Sequence, residues 1–284
     1  RDLHSFPTRR SSDLATVQIS QIVVRRLFDC DNVYAFQNPD GQLIFASPYE
    51  RDFTLIGSIT HAFKGDPAIV AMGVREVAYL CDAANRYFRE QIAPVDVLRT
   101  ISAANSVIAP ARRHRSDGAA SLDFGRGKAP LLTMFGGDVT TARWRAERAV
   151  SKFTRFHPMT PRWTATAPLP GGEFAWQRFE TEVDIARDHW RFLSEAQARR
   201  LVAAYGLNVK DVLGDAKAKA DLGPAFGAEL TGAEVRYLMQ KEWARFPDDI
   251  LWRRSKLGLT MPQADRDALA AFMRSEEHTS ELQS

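Results

Sequence analysis

Cysteine is almost missing from this 284-residue chain: only Cys30 and Cys81 occur, with no paired spacing. That excludes a disulfide framework and leaves two reduced thiols, as expected of a cytosolic protein. No apolar run approaches the ~20 residues that a membrane-spanning helix needs. Any membrane contact is therefore expected to be peripheral. Histidine is scarce as well, and His61, His114, His157 and His189 show no metal-ligand spacing, so no metal site is expected. Nor is there a strong charge of either sign, since 38 Lys+Arg stand against 35 Asp+Glu. A mild basic excess suits an anionic substrate or a membrane surface, and is too weak for nucleic-acid binding.

The two ends read as foreign. Arg1 to Leu14 (RDLHSFPTRRSSDL) and Arg274 to Ser284 (RSEEHTSELQS) match translated sequencing-library adapters, one at each end. The expected segments are 1–14 and 274–284 adapter-derived, 15–160 a partial domain and 161–273 a second domain. The end runs hold four basic and five acidic residues, so the interior keeps a net charge of about +4.

What the interior does contain is patterned. Short runs rich in β-branched and aromatic residues, VQISQIVV, VYAFQ, LIFAS and FTLIGS, predict antiparallel strands between Ala15 and Ser58. Asn38-Pro39-Asp40-Gly41 supplies a turn between two of them. Asp66-Pro67 is expected to open a helix whose Val74, Val77, Cys81, Ala84 and Phe88 cover the sheet. Three more strands are expected at Val97 to Ser102, Ala119 to Phe124 and Leu131 to Phe135, with Arg112-Arg113-His114-Arg115 in a charged loop. A helix from about Thr140 to Phe153 should carry a small-residue face of Ala142, Ala146 and Ala149.

Composition shifts at Pro158 to Gly172, where Pro, Trp and Gly interrupt any periodicity. Beyond it the pattern is helical. Ser194-Glu-Ala-Gln197 and Thr231-Gly-Ala-Glu234 have capping-box form, Gly206 is a helix stop, and Trp176 and Trp190 are expected as core anchors of one helix. Arg253, Arg254 and Lys256, beside Trp252, are expected on a solvated helix face, the alternative being a face toward anionic lipid or another domain. The fold class is thus α+β: an antiparallel sheet domain followed by a small all-α domain.

The sharpest local feature is Leu131-Leu-Thr-Met-Phe-Gly-Gly-Asp-Val-Thr-Thr-Ala-Arg143, a strand passing through two glycines into a helix. Glycines let backbone approach a ligand, and a helix N-terminus attracts an anion or an electron-rich ring edge. The same dipeptide also makes an ordinary strand-to-helix turn. Lys128 to Glu147, read with Phe36-Gln-Asn-Pro-Asp-Gly41, Lys64-Gly-Asp-Pro67, Leu169-Pro-Gly-Gly172 and Asp248-Asp-Ile-Leu-Trp-Arg-Arg254, resembles the C-terminal half of the FAD-dependent glycerol-3-phosphate dehydrogenases.

That resemblance implies FAD as cofactor, glycerol 3-phosphate as substrate, a quinone as electron acceptor, a homo-oligomer, and a cytoplasmic protein peripheral to the inner membrane. It places Gly136, Gly137, Val139, Thr140 and Thr141 at the flavin ring, and Asn105 and Arg143 at the substrate. The GxGxxG fingerprint that the family carries in its N-terminal half is not in this chain. Several positions depart from the family pattern. Gln21 stands for a histidine, Asp138 for a lysine, Asn105 for an arginine and Thr60 for an aspartate, and Asp117 or Gly118 falls where another arginine is usual. Two readings follow: an ordinary enzyme that tolerates the changes, or an impaired or substrate-shifted paralogue serving as a flavin-binding or interaction module.

Overall fold

Five antiparallel strands are joined in the order β2-β3-β4-β1-β5: β1 Leu14–Arg25, β2 Tyr34–Gln37, β3 Leu43–Tyr49, β4 Phe53–Ala62 and β5 Arg99–Ile108. The computed structural model describes residues 14–108, 119–123, 131–135, 139–154 and 156–281. The four strand runs of the sequence each become a strand, because alternating β-branched residues can bury one face only in an extended chain. Ile22, Val24, Ile44, Ala46, Ile56 and Ile59 make up the buried face. Helix α1, Val74–Asn85, lays Leu80, Cys81, Ala83 and Ala84 across it.

This helix does not begin at Asp66. The Asp66 carboxylate instead caps a single 3₁₀ turn, Pro67–Ile69, by accepting the Ala68 N–H at 2.9 Å, and α1 starts afresh at Val74. Val74, expected on the core stripe, is exposed, and Phe88 follows the helix end, stacked on Phe28. The hairpin turn forms as expected: Gly41 takes φ +82°, and its N–H donates to Asn38 O at 2.9 Å. Asn38 is buried and donates to the Tyr79 hydroxyl, which donates to Asp40 at 2.7 Å, tying the turn to α1.

Strands β6, Ala119–Asp123, and β7, Leu131–Phe135, form a separate two-stranded antiparallel sheet. Helix α2, Ala142–Val150, follows and ends in a 3₁₀ turn at Ser151–Phe153. Of its alanine face only Ala149 is buried; Ala142 and Ala146 face solvent.

Contacts divide the chain into two units, 1–166 and 167–284. The second is helical: α3 Phe179–His189, α4 Glu195–Tyr205, α5 Val209–Leu213, α6 Gly232–Lys241 and α7 Gln263–Glu281, with a π-helical turn at Asp249–Arg254. Its core is built on Leu201, Leu222, Leu230, Leu238, Ile250 and Leu269. The observed class is α+β, as expected. Helix α7 continues through the run expected to be adapter-derived, and Glu276 there pairs with Arg236 at 3.0 Å.

Both capping boxes are half-formed, each because the side chain at its third helical position is drawn to another partner. Ser194 accepts the Gln197 N–H and Thr231 the Glu234 N–H, but neither reciprocal bond forms. The Gln197 side chain donates to Glu229 O instead. Glu234, only 1% exposed, takes both guanidinium nitrogens of Arg200 at 2.7 Å and the Tyr205 hydroxyl at 2.8 Å. For Glu234, a buried carboxylate needs a cation more than a helix end needs its second cap. The Trp pair also splits. Trp190 is a core anchor donating to Gly214 O at 3.2 Å, whereas Trp176 lies on a 3₁₀ turn ahead of α3 and is 80% exposed. Nor is the basic cluster simply solvated: Arg254 donates to Glu242 O and Asp249 O, and Arg253 pairs with Asp249 at 2.8 Å.

Candidate functional site

The sheet has two faces, and α1 covers the one built on Ile22 and Ile56. The other face is set by register. Gln21 lies opposite Gly57 and Ile101, Ile19 opposite Thr60 and Ala103, and Val17 opposite Ala62 and Asn105. Residues that face each other across a ladder share a side of the sheet, as do alternate residues along a strand. Gln21, Thr60 and Asn105 therefore stand together on the face away from α1. Three positions that the sequence marks as departures from one family pattern occupy one surface.

The register is kept by a bulge. Between Ser20 and Gln21 the pairing shifts, so that Ser20 meets Ile59 while Gln21 meets Gly57. A Cβ on Gly57 would come within 2.6 Å of Gln21 Cγ. Glycine at 57 is thus what allows the Gln21 side chain to lie across β4. Bulges of this kind re-aim a side chain and gather next to active sites. On the covered face Gln18 is buried and donates to Ser20 Oγ and to Ala71 O, each at 3.0 Å, while Ser20 and Ser102 share a hydroxyl bond of 3.0 Å. The Ser20–Ser102 bond ties β1 to β5, the strands that carry Gln21 and Asn105. Neither the bulge nor the Gly57 clearance is legible in the sequence, since both depend on pairing between distant segments.

Val139 and Thr140 are exposed and Thr141 is half-buried, in the turn that opens α2. Gly136, Gly137 and Asp138 lie outside the described residues, as do Lys128 and Arg112 to Arg115. Arg143, in the first turn of α2, is held by its neighbours. Its guanidinium reaches Thr164 Oγ1 at 3.2 Å and Glu147 Oε2 at 3.5 Å. Thr164 donates its hydroxyl to Glu147 Oε1 at 2.5 Å and its backbone N–H to the same oxygen at 3.2 Å. The Thr164 hydroxyl, with Arg143 adding to it, holds the Glu147 carboxyl below the ordinary range. A fixed arginine at a helix N-terminus is a ready anion contact. Glu147 and Thr164 carry no motif of their own, and their part in positioning Arg143 is visible only in the fold.

Elsewhere in this unit His61 approaches Glu76 at 3.2 Å, and Glu76 also accepts the Gly73 N–H at 2.6 Å, ahead of α1. Cys81 is buried and Cys30 half-buried, and both are free thiols.

The helical unit defines a class first: residues 162–278 match the C-terminal domain of alpha-glycerophosphate oxidase. Over nearly its whole length the chain matches glycerol-3-phosphate dehydrogenases, and it belongs to that family. It is 37% identical over 265 residues to the glycerol-3-phosphate dehydrogenase of Pseudomonas aeruginosa, a match that covers 92% of this chain and 52% of that protein. The aerobic glycerol-3-phosphate dehydrogenase of Escherichia coli is 36% identical over 249 residues, covering 84% and 49%. The D-erythritol 1-phosphate dehydrogenase of Brucella abortus is 37% identical over 276 residues, covering 95% and 55%. The chain thus spans about half the length of these relatives. In fold it is similar to the glycerol-3-phosphate dehydrogenase from Bacillus halodurans complexed with FAD, with a TM-score of 0.70 and 23% identity over 93% of this chain and 56% of that one.

Proposed function

We propose that the full-length protein is an FAD-dependent oxidoreductase of the glycerol-3-phosphate dehydrogenase type. It oxidises the secondary alcohol of sn-glycerol 3-phosphate to the ketone of dihydroxyacetone phosphate and passes the electrons to a quinone. The observation that carries this reading is similarity at 36–37% identity, over most of the chain, to proteins named for that activity. In this reading residues 15–160 are the C-terminal part of the flavin and substrate domain, and 161–273 a helical domain that follows it in sequence. The protein works in the cytoplasm as a homo-oligomer in peripheral contact with the inner membrane. No helix among the described residues is long and apolar enough to cross a membrane.

The described residues fit a flavin edge at the start of α2. Val139 is an exposed apolar side chain beside a helix N-terminus, where the macrodipole favours negative charge. Val139, Thr140 and Thr141, with Gly136 and Gly137 before them, would line the ring edge. FAD, when bound, supplies the two-electron oxidant. Arg143, braced by Glu147 and Thr164, would hold the phosphate. Gln21 and Asn105 would orient the alcohol chain along the sheet. Asp138, at the position of the family's lysine, would sit beside the flavin and weaken binding of a phosphodianion there.

The test is an assay of the purified full-length holoenzyme with glycerol 3-phosphate and an artificial electron acceptor. Substrate-dependent bleaching of flavin absorbance with turnover is expected. A flavin-loaded protein that no polyol phosphate reduces would overturn the reading.

A further inference from the structure

Two helices of the helical unit end on glycine where the backbone turns to positive φ, Gly206 at +55° after α4 and Gly214 at +53° after α5. Past the end of α6 the chain makes a turn of the same sign, φ +56°, and the residue there is Trp243. That conformation is strained for a side chain with a Cβ, and glycine is the usual occupant at a helix end. Burial would offset the strain, yet Trp243 is 78% exposed and Phe246, three residues on, is 69% exposed. Neither ring stabilises the described fold by standing where it does. Strained residues persist where their surroundings fix them, and they gather at functional positions.

The loop is well fixed. Ala244, between the two aromatics, is buried and donates its N–H to Leu238 O at 3.0 Å. The Arg245 and Phe246 N–H groups both donate to Asp249 Oδ2, at 2.9 and 3.0 Å, and Arg254 donates to Glu242 O. An indole and a phenyl ring are thus held in solvent by a backbone that has little freedom left to lose on binding. The charges beside them divide into two groups. Arg253 is paired with Asp249, and Arg254 lies against Glu242, whereas the exposed Lys241 and Arg245 have no ion pair among the described residues. Of the acids between Lys241 and Arg254 only Asp248 is exposed.

Exposed aromatics beside unpaired cations are the chemistry of a surface that enters the headgroup layer of an anionic bilayer, where Trp and Phe seat at the interface and Lys and Arg meet lipid phosphates. A protein partner would need a pocket for the indole and acids matched to both cations. An anionic bilayer offers the equivalent of both at every point of its surface. We infer that the Trp243–Phe246 loop, with Lys241 and Arg245, is an anchor by which the full-length protein rests on an anionic phospholipid surface. The inference rests on the proposed peripheral membrane contact and gives it a place in the fold.

The experiment measures co-sedimentation of the full-length protein with vesicles of phosphatidylcholine, alone or mixed with an equal part of phosphatidylglycerol. Wild type, Trp243→Gly, Phe246→Ser and the double variant Lys241→Ala/Arg245→Ala are compared, with a melting curve for each. Wild type is expected to bind the anionic vesicles. Trp243→Gly should lower its partitioning about 10-fold, the effect of withdrawing one large apolar side chain, and Phe246→Ser should act in the same direction. The melting temperature of Trp243→Gly should be no lower than that of wild type, because glycine relieves the strain. The double cation variant should lose about 10-fold or more on anionic vesicles and change little on neutral ones. If wild type binds and the variants bind as well, this loop is not the anchor and the membrane contact stands without it. If wild type does not bind, the membrane contact itself is wrong and the inference falls with it, while the assay with an artificial acceptor still decides the oxidoreductase activity. If Trp243→Gly binds normally but melts lower, Trp243 packs against protein, which also overturns the inference.

Discussion

Glu234 is a buried carboxylate held by two partners from another helix of the helical unit. Its carboxylate is buried with Arg200 and Tyr205, and burial together with the nearby negative charge pushes the Tyr205 phenol well above its ordinary pKa. Breaking such a pair leaves the Arg200 charge half-buried and unmatched. Glu234→Ala is therefore expected to destabilise residues 167–281 by about 3–5 kcal/mol, and Tyr205→Phe, which removes one bond to a charged acceptor, by about 1.5–3 kcal/mol. Urea titrations followed by circular dichroism would check both. Asp249 gives a pH-dependent case. The Phe246 and Arg245 backbone N–H groups, with Arg253 adding charge, hold its carboxyl below the ordinary aspartate range. A depressed folded pKa means that its contribution is present above the unfolded value of about 3.9 and is lost as pH falls through the folded one. Wild type should exceed Asp249→Ala in stability by about 1–3 kcal/mol at pH 7, and the gap should close on acidification below about pH 4. A gap that persists at pH 2 would show that the side chain acts by packing and not by charge.

Among elements, the two helix stops Gly206 and Gly214 make a controlled pair. They end α4 and α5 with nearly the same backbone, φ +55° and +53°, in a region that side chains with a Cβ rarely enter. Their surroundings differ. A Cβ on Gly214 would meet nothing within 4 Å, whereas one on Gly206 would run into the carbonyl of Gly171, itself at φ +85° and accepting the Leu207 N–H at 2.8 Å. Gly214→Ala should cost about 1–3 kcal/mol from backbone strain alone. Gly206→Ala should cost more, because it also parts the Leu169–Gly172 loop from the end of α4. Equal losses in thermal melts would show that the contact between the glycines carries no energy. Helix α1 teaches the reverse lesson about local signals. Asp66-Pro67 has the composition of a helix start, and it does cap a turn, but the chain leaves helical conformation again before Val74. The cap is a local bond; where a long helix begins depends on what its buried face meets.

For the whole molecule, the helical unit has a core of its own, from Val183 to Met273, and is expected to fold as an isolated segment. A cooperative helical melt of residues 162–281 would bear this out, and a non-cooperative loss of ellipticity would refute it. The chain as given is expected to bind FAD weakly, because it holds no GxGxxG segment to anchor the pyrophosphate. A flavin titration with sub-micromolar affinity would contradict that expectation. The sequence by itself determined the strand runs, the Asn38–Gly41 turn, the helical character beyond Pro158 and the likeness to flavin-linked dehydrogenases. Each of these follows from the order of residues along a short stretch, where periodicity, capping and turn chemistry act. Only the tertiary structure decided that Gln21, Thr60 and Asn105 share a face, that Glu147 and Thr164 brace Arg143, that Glu234 leaves its cap for Arg200, and that Trp176 stays in solvent while Trp190 is buried. Those outcomes depend on register and on competition for buried space between segments far apart in sequence, and a bulge of one residue is enough to change which side chains meet.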